Sequence, residues 1–257
     1  MKITYLIGGL VLSWSLISQA ADLDRSAVES LLVKASSTQV ADLRRKDLTD
    51  LDLSGLDFSH ADLWGADLRR SNLSKSNLPG LILDLTVMTK INLSGANLSK
   101  TSIFGVSMIG ANLSNTNLTE SRFIANLDRA NLSHADLRRA DWGVDMKNQP
   151  MGLMRVSLNN VNLSKADLTD ANLNRALMRN ANLTGSVLRN TVLYGSDLAG
   201  SDFTNADLSG ADLSACNLTD VNFTGSNLAK TRFSGIKDKS ILKGLDSSKN
   251  LDSAIFE

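Results

Sequence analysis

Ala206-Asp207-Leu208-Ser209-Gly210-Ala211-Asp212-Leu213-Ser214 decides the fold of this chain, because the same five-residue unit follows itself without a spacer. Outward from it, Leu or Phe returns at every fifth place, at Leu198, Phe203, Leu218 and Phe223 on one flank and at Leu63, Leu68, Leu73 and Leu78 far upstream. On an α-helix five residues rotate about 140°, which would scatter these side chains round the cylinder. On a flat strand the odd spacing would send them to alternate faces. The period fits a backbone that turns once per unit and winds round one axis.

The register runs from Leu43 to Phe123, loses one residue, continues from Leu127 to Trp142, breaks, and resumes from Leu153 to Phe233. Of these 38 central residues 33 are Leu or Phe, and in 32 units the residue two places earlier is Ala, Ser, Thr, Val or Cys. One large and one small inward side chain per unit would fill a narrow tube. The residue between them is mostly Asp or Asn and is expected to point outward. Two places after the centre stand twelve of the seventeen glycines, Gly65, Gly105 and Gly210 among them, as a turn with positive φ requires. Each unit thus encodes a bend, a bulky filler and a small one.

The Ala-(Asp/Asn)-Leu-x-x units, as in Ala61–Gly65, Ala96–Lys100, Ala166–Asp170 and Ala206–Gly210, resemble the pentapeptide-repeat family over residues 41–235. That resemblance implies an all-β fold, a right-handed quadrilateral parallel β-helix with four units per coil. With coils spaced like neighbouring strands, about 4.8 Å apart, nine or so coils would form a rod about 43–46 Å long. Phe203 and Phe223 would then stack, one coil apart.

Residues 1–20 read differently. A basic start at Met1-Lys2, an apolar run Ile3–Ile17 and small residues up to Ala20 predict a cleaved signal peptide and a periplasmic or secreted product. The apolar run is shorter than the roughly twenty residues a membrane span needs, so no stable membrane span is expected after cleavage. Residues 21–40 are expected to hold a capping helix over 24–37, with Ser26 to Glu29 as a capping box. Residues 236–257, with Ile241, Leu242, Leu245, Leu251, Ile255 and Phe256, are expected to fold over the last coil. The same tail is an alternative route to a homodimer, as the resemblance implies. The stretch 143–152 is expected to form an extruded loop.

Chemistry is hard to find. His60 and His134 lie in turn positions without neighbours at metal-ligand or triad spacing. Cys216 occupies a small inward slot, and as the sole cysteine it rules out an intrachain disulfide. No metal, cofactor or catalytic residue is predicted, and the chain reads as no enzyme. Arg44-Arg45, Arg69-Arg70 and Arg138-Arg139 fall on three different sides, so no phosphate-tracking stripe forms and no nucleic acid is expected as a partner. One outward alignment stands out. Trp64, Phe104 and Ile124 follow their centres at multiples of twenty residues, and Met154 and Tyr194 join them if the break preserves phase. These five form a candidate protein-binding face.

The reading that follows is an exported, non-enzymatic scaffold or binding module with an unidentified protein partner. Two alternatives remain at this level: a DNA-mimicking protector of topoisomerases, which the family resemblance suggests but a net charge of zero opposes, and a secreted factor acting on a host protein.

Overall fold

The computed structural model describes residues 21–144, 154–236 and 239–256. The expected signal peptide at 1–20 and most of the expected loop lie outside them.

Parallel bridges join residues twenty apart from the first coil onward: Asp47 to Asp67, Asn72 to Asn92, Asp202 to Asn222. Each middle residue donates its N–H to the coil below, as from Asn72 to Leu51 O at 2.8 Å. Each central residue donates to the coil above, as from Leu73 to Asn92 O at 2.7 Å. Four units therefore complete one turn of a right-handed, four-sided β-helix, and the sides can be named for the first centres, Leu43, Leu48, Leu53 and Phe58. Because each side lasts only a few residues, extended strands are short. β1 (Ala41–Asp42) pairs in parallel with β2 (Ala61–Asp62), and β3 (Ser102–Ser107) with β4 (Arg122–Asn126).

The corners require positive φ, and glycine supplies only part of it. Arg45, Lys75, Glu120, His134, Leu85 and Ala215 hold φ between 57° and 61° at corners equivalent to those of Gly65 and Gly105. For most of these residues a hydrated side chain costs little beyond the backbone strain. Leu85 is different, because a branched apolar side chain in the left-handed region is unusual.

Inside, the described centres form a column of fully buried side chains, nearly all Leu or Phe, with Met88, Ile103, Met108, Trp142 and Met178 at the remaining places. Phe203 stacks on Phe223 as expected, with centroids 5.5 Å apart and planes 13° off parallel. Burying one such side chain contributes about 1.5–3 kcal/mol. The small slots hold Ala, or Ser and Thr whose hydroxyls donate to nearby carbonyls, as from Ser71 to Leu68 O at 2.7 Å. Cys216 sits in such a slot, and burial pushes its thiol up to about 12. On the Leu53 side the outward Asx residues form a ladder in which Asn72 donates to Asp52, Asn92 to Asn72 and Asn112 to Asn92 at 2.8–3.1 Å. Each carbonyl oxygen also accepts the N–H two residues on, as Asn72 does from Ser74.

The irregularities have local causes. Ser107 pairs with Asn126, nineteen residues on, because the Phe123 unit lacks a turn residue and β4 runs extended through its corner. Asn126 then pairs with Ser157, thirty-one residues on, so the chain holds eleven residues more than a regular coil between Trp142 on the Leu43 side and Leu158 on the Leu48 side. The ladder resumes at Leu158, directly above Leu127. Leu153, expected as the first centre after the break, lies outside the described residues. Trp142 fills the core just before the break, stacked on Phe123 at 4.8 Å and donating to Ser121 Oγ at 3.0 Å.

Both ends are closed. Helix α1 (Arg25–Val33) is shorter than expected, and its N-cap is Asp24, not Ser26. The Asp24 carboxylate accepts the Ala27 N–H and the Ser26 hydroxyl, each at 2.8 Å. Those two hydrogen bonds hold its carboxyl below the usual range. From α1, Val28 enters the core and Leu32 packs on it. The Arg25 guanidinium donates to the open carbonyls of Asp52 and Ser54 on the first coil, at 2.8 and 3.1 Å. At the other end the tail adds three sides of a further coil with wider spacing, pairing Lys243 with Asn222, Lys249 with Asn227 and Ile255 with Arg232. Leu242 is buried and Phe256 stacks on Phe233. Ile255 takes the outward middle position of its unit and is 41 % exposed.

Candidate functional site: an apolar patch on the Leu43 side

Short ion pairs within or between coils balance many of the outer charges. Arg44 pairs with Asp42 and Asp62, Arg69 with Asp67, Arg70 with Asp50, Arg138 with Asp136 and Arg139 with Glu120. The Arg44 guanidinium holds the Asp42 carboxyl down at about 2. In its repeat units the Leu53 side has Asp52, Lys75, Lys165 and Asp202 as its Asp, Glu, Lys or Arg residues, and the tail adds Lys243. No side presents a continuous acidic file. Among the described residues no group of three His, Cys, Asp or Glu side chains is placed to hold a metal ion. No helix among them is long and apolar enough to cross a membrane.

Against that background the Leu43 side is unusual. Its outward file after the centres runs Arg44, Trp64, Asp84, Phe104, Ile124, Gly143, Asn174 and Tyr194. The structure brings Trp64 and Phe104 together in one patch, two coils apart with Asp84 between them. Trp64 is half-buried under the Arg45 guanidinium, 4.9 Å from the ring centre, and Phe104 is 44 % exposed. Ile124 departs from expectation: it is buried, because the extended β4 corner turns its side chain under cover. Met154 departs too. The break shifts the phase, so Gly143 and Asn174 take the next places in the file, while Met154 lines a shallow depression with Ile124 and Val106. Tyr194 keeps its place on the same side but stands four coils from Phe104, about 19 Å away, and is joined there by the exposed Val192. The five expected residues therefore form one compact pair, one distant residue and two neighbours of the break.

Three residues complete the patch that the twenty-residue spacing did not reveal. Ile82 occupies a middle position normally held by Asp or Asn and is 63 % exposed. Leu85 takes a corner at φ 61° between Gly65 and Gly105 in the coils below and above. Val87 continues the apolar surface round that corner. The sequence did carry a signal, since residues 81–91 lose their polar slots, but it shows up only when middle and corner positions are compared along a side. At the centre of the patch the Asp84 carboxylate accepts the Phe104 N–H at 2.9 Å. Among the described residues no Lys or Arg is within ion-pair distance of it; on this side Arg44 is taken by Asp42 and Asp62, and Arg122 by Asp141.

A four-sided β-helix with an apolar core, covered by α1 at one end and by the tail at the other, defines a repeat protein. Family models agree: pentapeptide repeats (8 copies) match residues 52–89, 82–119 and 125–142, and the pentapeptide repeat region matches residues 151–233. The chain belongs to the pentapeptide-repeat proteins. Among solved structures it is similar to HetL, a pentapeptide repeat protein involved in heterocyst differentiation regulation in the cyanobacterium Nostoc, at 28 % identity over 83 % of this chain and 87 % of that one, with a TM-score of 0.31. A pentapeptide repeat protein of the Arabidopsis thaliana thylakoid lumen is 31 % identical over 37 % of this chain and 61 % of that one, TM-score 0.32. QnrB1, a plasmid-mediated fluoroquinolone resistance protein, is 20 % identical over 74 % of this chain and 89 % of that one, TM-score 0.32. No curated protein matches.

Proposed function

We propose that this chain is an exported, non-enzymatic rod that binds a protein partner through the Leu43 side. The observation that carries the reading is the cluster of Trp64, Ile82, Leu85 and Phe104 on a surface where ion pairs and Asx ladders are common. Exposed apolar patches rimmed by polar residues mark interaction sites in soluble proteins, and a rod stiffened by main-chain ladders loses little entropy on presenting one. The apolar run Ile3–Ile17 supports export. The charge distribution argues against DNA mimicry, which needs a phosphate-like anionic stripe. Lys239 over the Phe256 ring, 3.8 Å from its centre, favours the tail as a lid over the tail as a dimer contact.

The test is photo-crosslinking in intact cells, with the crosslinker placed at Phe104 on the patch or at Ser114 on the Leu53 side. Adducts formed from Phe104 and not from Ser114, in an envelope or extracellular fraction, are expected. Equal adducts from both positions, or a product confined to the cytoplasm, would contradict the reading.

A further inference from the structure

We infer that the patch binds a protein segment in which apolar side chains flank a lysine or arginine, with Asp84 receiving the cation. This deepens the protein-binding reading and rests on it. Three observations converge. Ile82, Leu85, Val87 and Phe104 are the exposed large hydrophobics of two successive coils, and the half-buried Trp64 continues them into the coil below. In their midst, among the described residues, the Asp84 carboxylate has the Phe104 N–H as its partner and no Lys or Arg, and unlike Asp47, Asp57 or Asp202, which also lack an ion pair, it is ringed by exposed apolar side chains. Leu85 is held at φ 61° where the adjoining coils use glycine.

The physical consequence follows from desolvation. Covering the apolar ring around Asp84 removes water from its carboxylate, and a buried charge is tolerated only when paired. A wholly apolar partner would therefore be rejected, and an acidic one more so. A partner that brings its own cation converts that penalty into selectivity, since rejection of wrong partners is as much a part of specificity as attraction of the right one. Arg45 already lies on Trp64 and keeps that ring in place. The corner imposes a positive φ that glycine meets without strain, so the choice of an exposed Leu at position 85 fits the same account.

The experiment pans a phage-displayed library of random dodecapeptides against the full chain and against three variants: Asp84→Asn, Asp84→Lys, and the triple variant Ile82→Ser/Leu85→Gly/Phe104→Ser. All the changed side chains are on the surface, and thermal melting checks that each variant folds. The native chain is expected to enrich peptides with Lys or Arg between aliphatic or aromatic residues. Those peptides should bind Asp84→Asn more weakly by on the order of tenfold or more, and Asp84→Lys should enrich acidic peptides instead. Peptides that bind Asp84→Asn and the triple variant as tightly as the native chain would overturn the proposal while leaving protein binding elsewhere on the rod intact. A selection that enriches nothing overturns it as well, and the in-cell crosslinking then decides the broader reading by itself.

Discussion

The ring of Phe256 stacks on that of Phe233, with centroids 4.8 Å apart and planes 9° off parallel, and Lys239 covers its other face. The residue that ends the hydrophobic column thus comes from the irregular tail and not from the repeat. In a solenoid each coil leans on its neighbours, so stability is close to a sum of local terms and fraying starts at an end. Phe256→Ala is expected to destabilise the last coil by about 2–3 kcal/mol, below the full cost for a core Phe because the ring is only half-buried. Hydrogen exchange should show faster amides at residues 242–255 and unchanged protection around Leu113. Uniform loss of protection would mean that the tail is not a separate lid.

At the opposite end, Arg25 substitutes for a missing coil by donating to Asp52 O and Ser54 O. Replacing it with Ala leaves two carbonyls at the open edge to water. With the side chain 40 % exposed, the expected cost is at the low end of about 1–3 kcal/mol. Exchange should accelerate in the first coil, and Arg25→Lys, with one point charge in place of a fork, should restore only part of the protection.

Trp142 carries the core across the break, fully buried against Phe123 and bonded to Ser121. Trp142→Ala should cost about 3–5 kcal/mol. Trp142→Phe keeps the stacking and should cost much less. Denaturant unfolding of the two variants measures the difference; equal losses would mean that the stacked ring is not what bridges the two halves.

Burial holds the Cys216 thiol neutral until about pH 12, whereas an ordinary thiol ionises near 9.0. Its contribution to stability is therefore fully present below pH 9 and lost as pH rises through 12. At pH 8 a thiol reagent should react at the rate of global or local opening and not at that of free cysteine. Rapid labelling of the native protein would contradict the burial of that slot.

The coil was legible in the sequence because period, bulky centre, small slot and corner glycines each point to the same winding, and each is a local property. The break was less legible. Whether an insertion shifts the phase depends on which residue resumes the ladder, and Leu153 and Leu158 look alike as text. The patch was half legible for a related reason. Trp64 and Phe104 share one position in the unit and are twenty times an integer apart, whereas Ile82 and Leu85 sit at other positions and become neighbours only once the unit is wrapped round a corner. Ile124 looked outward by position and is inward because a lost turn residue straightens the corner it would have left by. At the N-terminus the capping box of Ser26 lost to Asp24, which had an equally good acceptor two residues earlier.

The most direct test of the winding is pairwise cysteine crosslinking along the Leu53 side in a Cys216→Ser background. Ser114 lies beside Ser133 and Ser133 beside Ser164, nineteen and thirty-one residues apart, because Asn112 pairs with Asn131 and Asn131 with Asn162. Neighbouring strands are about 4.8 Å apart, within the reach of a short thiol–thiol crosslinker. The account predicts efficient crosslinks for Ser74→Cys/Ser94→Cys, Ser114→Cys/Ser133→Cys and Ser133→Cys/Ser164→Cys. Crosslinking that instead favoured Ser114→Cys/His134→Cys, twenty residues apart, or that was absent from all three pairs, would contradict it.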